Sequence, residues 1–198
     1  MAKRICPRCG SKNTAKILWG MPAYDEELQK KLDNKEIVLG GCCITGCDPS
    51  YHCNACKKDF GAPTKNLEAD VIKVMISIGG FFQGHKKIEV SKTDNGATIK
   101  TSGPIPNYND NYEGGKDITA LQWKKFVNAL FRCNVADWKK KYYSQILDGE
   151  QWELEIYYTG RKPLKIWGSN NYPPHFSKLR KLLDNPPWAG DKEKRALI

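Results

Sequence analysis

Two Cys-x-x-Cys pairs, Cys6 to Cys9 and Cys53 to Cys56, constrain the fold of this chain more than any other feature of its sequence. Together they supply the four thiolates of a tetrahedral structural Zn²⁺ site. Such a site leaves no coordination position for a substrate, so it favours structure or recognition over metal catalysis. The alternatives are two unrelated reduced pairs, or a redox Cys-x-x-Cys. The occurrence of two pairs in one compact segment favours a zinc ribbon.

The residues after each pair fit this interpretation. A zinc knuckle is a tight turn whose backbone amides point at the sulfurs, and it often ends in a residue with positive φ. Gly10 follows the first pair and adopts that conformation at no steric cost. Lys57 and Lys58 occupy the comparable stretch after the second pair, and Phe60 is available to pack behind the metal.

Four cysteines lie outside the two Cys-x-x-Cys pairs, and the sequence suggests several roles for them. We expect Cys42 and Cys43 to be small buried residues, Cys47 to be an ordinary loop thiol, and Cys133 to lie in the core. Cys47 and His52 are the alternative candidates for a replacement ligand or a second metal site. A cysteine hydrolase would pair Cys43 or Cys47 with one of the three histidines, His52, His85 and His175, but no nucleophile motif surrounds these residues.

Length and composition predict a folded, soluble protein. The chain has 198 residues, of which 40% are hydrophobic and 11% aromatic, enough for one ordinary domain and a small module. No apolar run approaches the roughly 20 residues of a membrane span, and no hydrophobic signal segment precedes the first pair. We therefore expect a cytoplasmic protein, with no membrane contact and with reduced, metal-bound cysteines. A disulfide framework is the weaker alternative.

Hydrophobic patterning predicts two domains and a tail. Residues 1–61 form the ribbon, with a strand, a short helix and a second strand inserted between the knuckles at 14–19, 24–32 and 36–39. Residues 65–185 form an α+β domain, and 186–198 a flexible tail.

The larger domain is predicted to have the order β-β-β-α-α-β-β-α, an antiparallel sheet with helices packed on one face. The predicted strands lie at 71–78, 87–92, 97–101, 152–158 and 164–167, and the helices at about 119–132, 135–142 and 173–183. Asp94-Asn95-Gly96 indicates a hairpin turn, and 103–116 reads as a loop.

A formal net charge of +10 suits phosphate backbones or acidic protein partners. The candidate nucleic-acid-binding residues are five cations, namely Lys139, Lys140, Lys141, Arg161 and Lys162. Trp138, Trp167 and Tyr172 are candidate stacking partners, although a Trp at helical spacing is more often a core residue. Only the collective pattern favours nucleic acid, because a lysine run is usually a solvated face.

Several stretches carry a resemblance to known proteins. CPRCGS, WGMP, IVLGGCCITGCDPSYHC and NACKKDFG, all within the first 61 residues, resemble a group of largely uncharacterised bacterial zinc-ribbon proteins with a helical insertion. The later stretches ALFRCNVADWKKKY and DGEQWELEIYYTGRKPLKIWGSNNYPPHF are similar to a recurrent bacterial α+β domain of unknown function. The resemblance implies a fold and a metal but no reaction.

These observations predict a zinc-binding, non-enzymatic module that associates with nucleic acid, or has a regulatory role, through basic surfaces. The alternative is a protein-protein adaptor whose ribbon docks on a partner chain. A cysteine-dependent hydrolase is the least favoured function.

Overall fold

The structure is a computed structural model that describes residues 4–80, 84–103, 115–146 and 149–189. The described residues form four α-helices, one 3-10 helix and eleven β-strands, so the predicted α+β class is confirmed. Internal contacts divide the chain into two compact units, Met1–Asn66 and Leu67–Ile198, which are described separately below.

The first unit is a four-stranded sheet with one helical crossover. Its elements are β1 (Thr14–Leu18), α1 (Glu26–Asp33), β2 (Ile37–Leu39), β3 (Tyr51–Cys53) and β4 (Lys58–Phe60), and the strand order is β2-β1-β3-β4. Strands β1 and β2 are parallel, and α1 connects them. The Asp25 side chain caps α1 by accepting a hydrogen bond from the Leu28 amide at 2.7 Å. The predicted strand-helix-strand insertion is therefore confirmed.

Strand pairing in the first unit brings the two knuckles together. Strand β1 starts at Thr14, four residues after Gly10 of the first knuckle, and β3 ends at the start of the second. Because β1 and β3 are antiparallel neighbours with Thr14 opposite Cys53, both knuckles lie at the same end of the sheet. A backbone hydrogen bond of 3.0 Å from the Asn54 amide to the Asn13 carbonyl joins them.

The second unit contains a seven-stranded sheet of order β8-β7-β6-β5-β10-β11-β9. Its strands are β5 (Val71–Gly80), β6 (Gly84–Thr93), β7 (Gly96–Ser102), β8 (Lys116–Thr119), β9 (Lys141–Tyr143), β10 (Glu150–Tyr158) and β11 (Arg161–Ser169). Its helices are α3 (Ala120–Phe131) and α4 (Phe176–Asp184), and α2 (Lys65–Asp70) spans the division between the units. All pairings are antiparallel except that of β9 with β11.

One face of this sheet is buried beneath α3 and α4. Alternate strand residues such as Val74, Val90, Ile99, Leu154 and Ile166 join Phe126, Leu130, Phe176 and Leu179 of the helices in a single core. The alternation that predicted the strands thus also predicted their buried faces. Side chains on the opposite face are exposed or half-buried, and this face carries the basic surface described below.

The predicted order of elements is wrong in three places. Helix α2, before the first strand of the larger domain, was not predicted. Within the helix predicted at 135–142, the structure has only the 3-10 helix Val135–Asp137. Asn134, with φ 62°, separates it from α3, and the extended backbone of Trp138 ends it. The segment then continues as β9. Strand β8 lies partly in the segment predicted as a loop, of which residues 104–114 are outside the described part of the chain.

Residues 186–198 were predicted to form a tail, but the packed chain extends beyond residue 185. Trp188 is buried, and its ring centroid lies 5.0 Å from that of Phe126. The packed structure therefore reaches Ala189, and residues 190–198 lie outside the described chain.

Candidate metal centre and basic surface

The two knuckles have the same backbone geometry. In the first, the Gly10 amide donates a hydrogen bond to the Cys6 carbonyl at 2.9 Å. In the second, the Lys57 amide donates to the Cys53 carbonyl at 2.8 Å. Gly10 and Lys57 both have positive φ, 77° and 55°, which the reversal of the chain at each turn requires. The positive φ predicted for Gly10 is confirmed, and Lys57 adopts the same conformation despite its side chain.

The four paired cysteines converge on one point. Their sulfur atoms all lie within 4.8 Å of one another. The Sγ atoms of Cys6 and Cys56 are 3.8 Å apart, and those of Cys9 and Cys53 are 3.6 Å apart. Four sulfurs bound to one Zn²⁺ at about 2.3 Å would be separated by about 3.8 Å, so the cluster fits such an ion. A disulfide needs about 2.05 Å, and these four cysteines are free thiols.

The centre is buried on one side and open on the other. Cys6 and Cys53 are fully buried, Cys56 is half-buried, and Cys9 is exposed. Phe60 packs against Cys6 and Cys53, as predicted, and its ring stacks on that of Tyr51 at a centroid distance of 5.5 Å. This apolar side shields the sulfurs from water and stabilises a metal-thiolate centre.

The thiols differ in acidity in the absence of metal. Burial raises the pKa of Cys6 to about 12. Burial alone would also raise the pKa of Cys53. Hydrogen bonds from the amides of Cys56 and Ala55 outweigh this effect and lower the pKa of Cys53 to about 7. A bound cation must therefore displace protons from the cluster, and its affinity falls as pH falls.

The other four cysteines lie outside this cluster. Cys42 and Cys43 are exposed, so the prediction that they are buried is wrong; their sulfurs are 4.0 Å apart on the loop after β2. Cys47 is also exposed, in agreement with its predicted loop position. Cys133 is buried, as predicted, and burial raises its pKa to about 11.

Of the three histidines, only His52 lies in the same unit as the loop thiols. Its Nδ1 atom is 2.6 Å from a carboxylate oxygen of Asp59, so its hydrogen-bond partner is a carboxylate and not a thiol.

The five predicted basic residues separate into two groups. Lys141 lies in β9, and Lys139 and Lys140 immediately precede it. Arg161 and Lys162 lie at the start of β11. Lys141 is opposite Trp167, six positions along β11 from Arg161, which corresponds to roughly 20 Å. The two groups therefore form separate surfaces.

Arg161 is already engaged within the protein. The Arg161 Nε atom is 2.8 Å from a carboxylate oxygen of Asp70. This ion pair links the hairpin turn to the end of α2. Both groups are exposed, but Arg161 is held by Asp70, so the lysine group of Lys139, Lys140 and Lys141 is the stronger candidate for an external partner.

Trp138 and Tyr172 are not stacking partners for the lysine group. Trp138 is 3% exposed and packs in the core. The guanidinium of Arg180 lies 5.3 Å from the ring centroid of Tyr172, and the Tyr172 hydroxyl donates to Glu150. Trp167 does lie beside Lys141: it is 41% exposed, and the Lys141 Nζ atom is 4.7 Å from its ring centroid.

Sequence reasoning missed Tyr143. It is 55% exposed in β9, and the Lys141 Nζ atom lies 5.2 Å from its ring centroid. The strand that carries Trp167 was predicted, but β9 was not, because Lys141 and Tyr142 fell within the helix predicted at 135–142. Trp167 pairs with Lys141 and Ser169 pairs with Tyr143 in the parallel ladder, so Tyr143 lies diagonally across from Trp167. No local pattern in the sequence indicated that these two rings are neighbours.

Comparisons of the chain with protein-family models, with curated proteins and with solved structures found no match. The resemblance to bacterial zinc-ribbon proteins stays a prediction. In the described part of the chain, every helix is too short or too polar to cross a membrane. The cytoplasmic location also stays a prediction.

Proposed function

We propose that Cys6, Cys9, Cys53 and Cys56 hold one structural Zn²⁺. The convergence of their four sulfurs within 4.8 Å supports this assignment. Four thiolates favour Zn²⁺ or an iron-sulfur centre over oxygen-preferring ions such as Mg²⁺. A closed Cys₄ set fixes the two knuckles and offers no position for a substrate. We accordingly propose a non-enzymatic role for this centre.

We further propose that the protein associates with nucleic acid through the second unit. One observation carries this proposal: Lys141, the last of three consecutive exposed lysines, lies beside two exposed aromatic rings, those of Tyr143 and Trp167, on the sheet face opposite α3 and α4. Lysines bind phosphates and aromatic rings stack on bases, and binding sites for single strands combine the two. Lys162 and Arg161 would contribute at most a second, separate contact.

The test is a titration of the protein with labelled RNA and DNA at several salt concentrations. The triple variant Lys139→Ala, Lys140→Ala, Lys141→Ala should bind all sequences more weakly. The slope of log affinity against log salt should fall by up to about 3 for a duplex, since each phosphate contact contributes about 0.9.

A matched control removes the same charge from the opposite side of the sheet. Lys124, Lys125 and Lys181 are exposed on α3 and α4, so their triple change to Ala should leave the slope almost unchanged. Equal weakening by both triple variants would indicate that only net charge matters. Absence of binding by the wild type at low salt would reject the nucleic-acid role.

An adaptor role is the second candidate, and exposed apolar side chains in the first unit favour it. Met21, Tyr24 and Ile44 are 91%, 72% and 68% exposed. A Cβ built at Gly20 would lie 3.4 Å from the Cδ1 atom of Ile44, so the loops that carry Met21 and Ile44 are adjacent. An apolar docking surface of this kind should retain a partner protein at high salt and after nuclease treatment, and Ile44→Asp should release it without loss of zinc.

A further inference from the structure

We propose that a hollow on the sheet face opposite α3 and α4, in the second unit, binds an unpaired base of single-stranded nucleic acid. This inference rests on the proposed nucleic-acid role and specifies its ligand and its site. The hollow has a volume of about 390 Å³, near the lower end of the range for small-ligand sites. The lining residues that lie on this face are Ser77, His85, Tyr143, Gln151, Glu153, Trp167 and Ser169.

Strand register explains why these residues meet. Residues directly opposite each other in neighbouring strands share a face of the sheet. Two adjacent rows cross the sheet at the hollow. One is Lys141, Trp167, Glu153, Ser77 and Lys87, and the other is Tyr143, Ser169, Gln151, Gly79 and His85. Gly79 has no side chain, so the second row is low between Gln151 and His85.

The aromatic end of the hollow can stack on a base. Trp167 and Tyr143 are 41% and 55% exposed, although large aromatic side chains are usually buried. The Lys141 ammonium lies over both rings, which places a cation where base and phosphate would meet. A flexible lysine can exchange this contact for one with a phosphate when a base stacks on the rings.

The polar end of the hollow can read the edge of a base. The Glu153 carboxylate accepts hydrogen bonds from the amino and imino groups of a base, and the Gln151 amide both donates and accepts. Ser77, His85 and Ser169 complete this polar wall. A base within a duplex has both faces stacked and its edge paired, so only an unpaired base can make these contacts.

The distribution of charged side chains on this face also favours binding of a polyanion at the hollow. The two rows of the hollow carry Lys87 and Lys141 against Glu153, and Lys139 and Lys140 adjoin them.

In the neighbouring rows, the positive and negative charges are equal in number. They carry Lys73, Lys100 and Lys165 against Glu89, Asp117 and Glu155. Two of these lysines are already paired within the protein. Lys73 Nζ is 3.7 Å from Glu89, and Lys165 Nζ is 2.9 Å from Glu155. The excess positive charge among these rows therefore lies in the two rows of the hollow, as a polyanion that stacks its bases requires.

The experiment compares Trp167→Ala, Trp167→Phe and the triple lysine variant in anisotropy titrations with a labelled 12-nucleotide single strand and the matching duplex. The wild type should prefer the single strand. Trp167→Ala should lose roughly 5- to 100-fold in affinity for it without a change in salt slope, because stacking releases no counterions. Trp167→Phe should retain most of the affinity, since a ring remains.

A control variant, Tyr24→Ala, removes an exposed ring from the first unit and should bind as the wild type does. Circular dichroism and thermal unfolding check that each variant is folded. If the triple lysine variant binds weakly but Trp167→Ala binds normally, the proposal that the hollow binds a base is overturned and the nucleic-acid role stands. If the wild type binds the duplex and the single strand with equal affinity, the proposal that the hollow binds an unpaired base is also overturned. If the wild type binds neither nucleic acid, both proposals fail.

Discussion

Gly10 and Lys57 occupy equivalent positions in the two knuckles, and they differ in how well each suits a positive φ. Gly10→Ala places a Cβ on a backbone with φ 77° and should lower the free energy of unfolding of the first unit by roughly 1–2 kcal/mol. Lys57→Gly relieves a φ of 55° but makes the unfolded chain more flexible, so its net effect should be close to zero. Thermal unfolding of the zinc-loaded variants measures both. Equal destabilisation by the two changes would contradict the knuckle geometry.

Thiol reactivity tests the assignment of all eight cysteines. Cys42, Cys43 and Cys47 are exposed and should react first with an alkylating reagent. Cys133 should stay unmodified until the second unit unfolds, because it is buried and its pKa is raised to about 11. The four clustered cysteines should react only after a chelator is added. Mass spectrometry of peptides reads each site, and early labelling of Cys133 would contradict its place in the core.

Spacing alone was enough to predict the residues of the cysteine cluster but not the environment of every thiol. The turn at each Cys-x-x-Cys is local, so four sulfurs could be assigned from the sequence. Cys42 and Cys43 were expected to be buried because free cysteine usually is. They lie instead in a loop with no strand or helix to bury them. Burial depends on the surrounding packing, which the neighbouring residues did not reveal.

At the scale of elements, strong periodicity predicted the structure and weak periodicity did not. Strand β10 alternates cleanly between buried and exposed residues, as its sequence predicted. Helix α3 has its apolar face and a capping box at Thr119 and Gln122. The short strands β8 and β9 were missed, because a three- or four-residue strand is defined by its pairing partner and not by its own pattern.

The capping box of α3 gives a prediction at this scale. Thr119→Ala removes the side-chain oxygen that accepts from the Gln122 amide at 3.2 Å. It should lower the free energy of unfolding of the second unit by about 1 kcal/mol. Thr159→Ala, at an exposed hairpin turn, should change it by less than about 0.5 kcal/mol. Chemical denaturation followed by tryptophan fluorescence compares them, and an effect of equal size for both would argue against the cap.

At the scale of the whole molecule, the two units differ in what stabilises them. The second unit has a large apolar core, whereas the apolar cluster around the metal centre in the first consists of Cys6, Cys53 and Phe60 with Tyr51 and Cys56 packed against it. Zinc binding contributes roughly 10–16 kcal/mol to small domains of this kind. Chelation, or Cys9→Ser, should therefore raise hydrogen exchange across residues 4–61 while residues 71–183 stay protected. A uniform rise over both ranges would show that the chain unfolds as one cooperative unit.

The central claim is that one zinc ion is bound by the two knuckles, and the metal content of the purified, reduced protein tests it most directly. Native mass spectrometry should show one zinc per chain, and X-ray absorption should show four sulfur ligands at about 2.3 Å. Cys9→Ser should lose the metal, whereas Cys47→Ser, which removes an exposed loop thiol outside the cluster, should retain it. A wild-type protein without metal, or one in which Cys6, Cys9, Cys53 and Cys56 are joined as disulfides, would contradict the account.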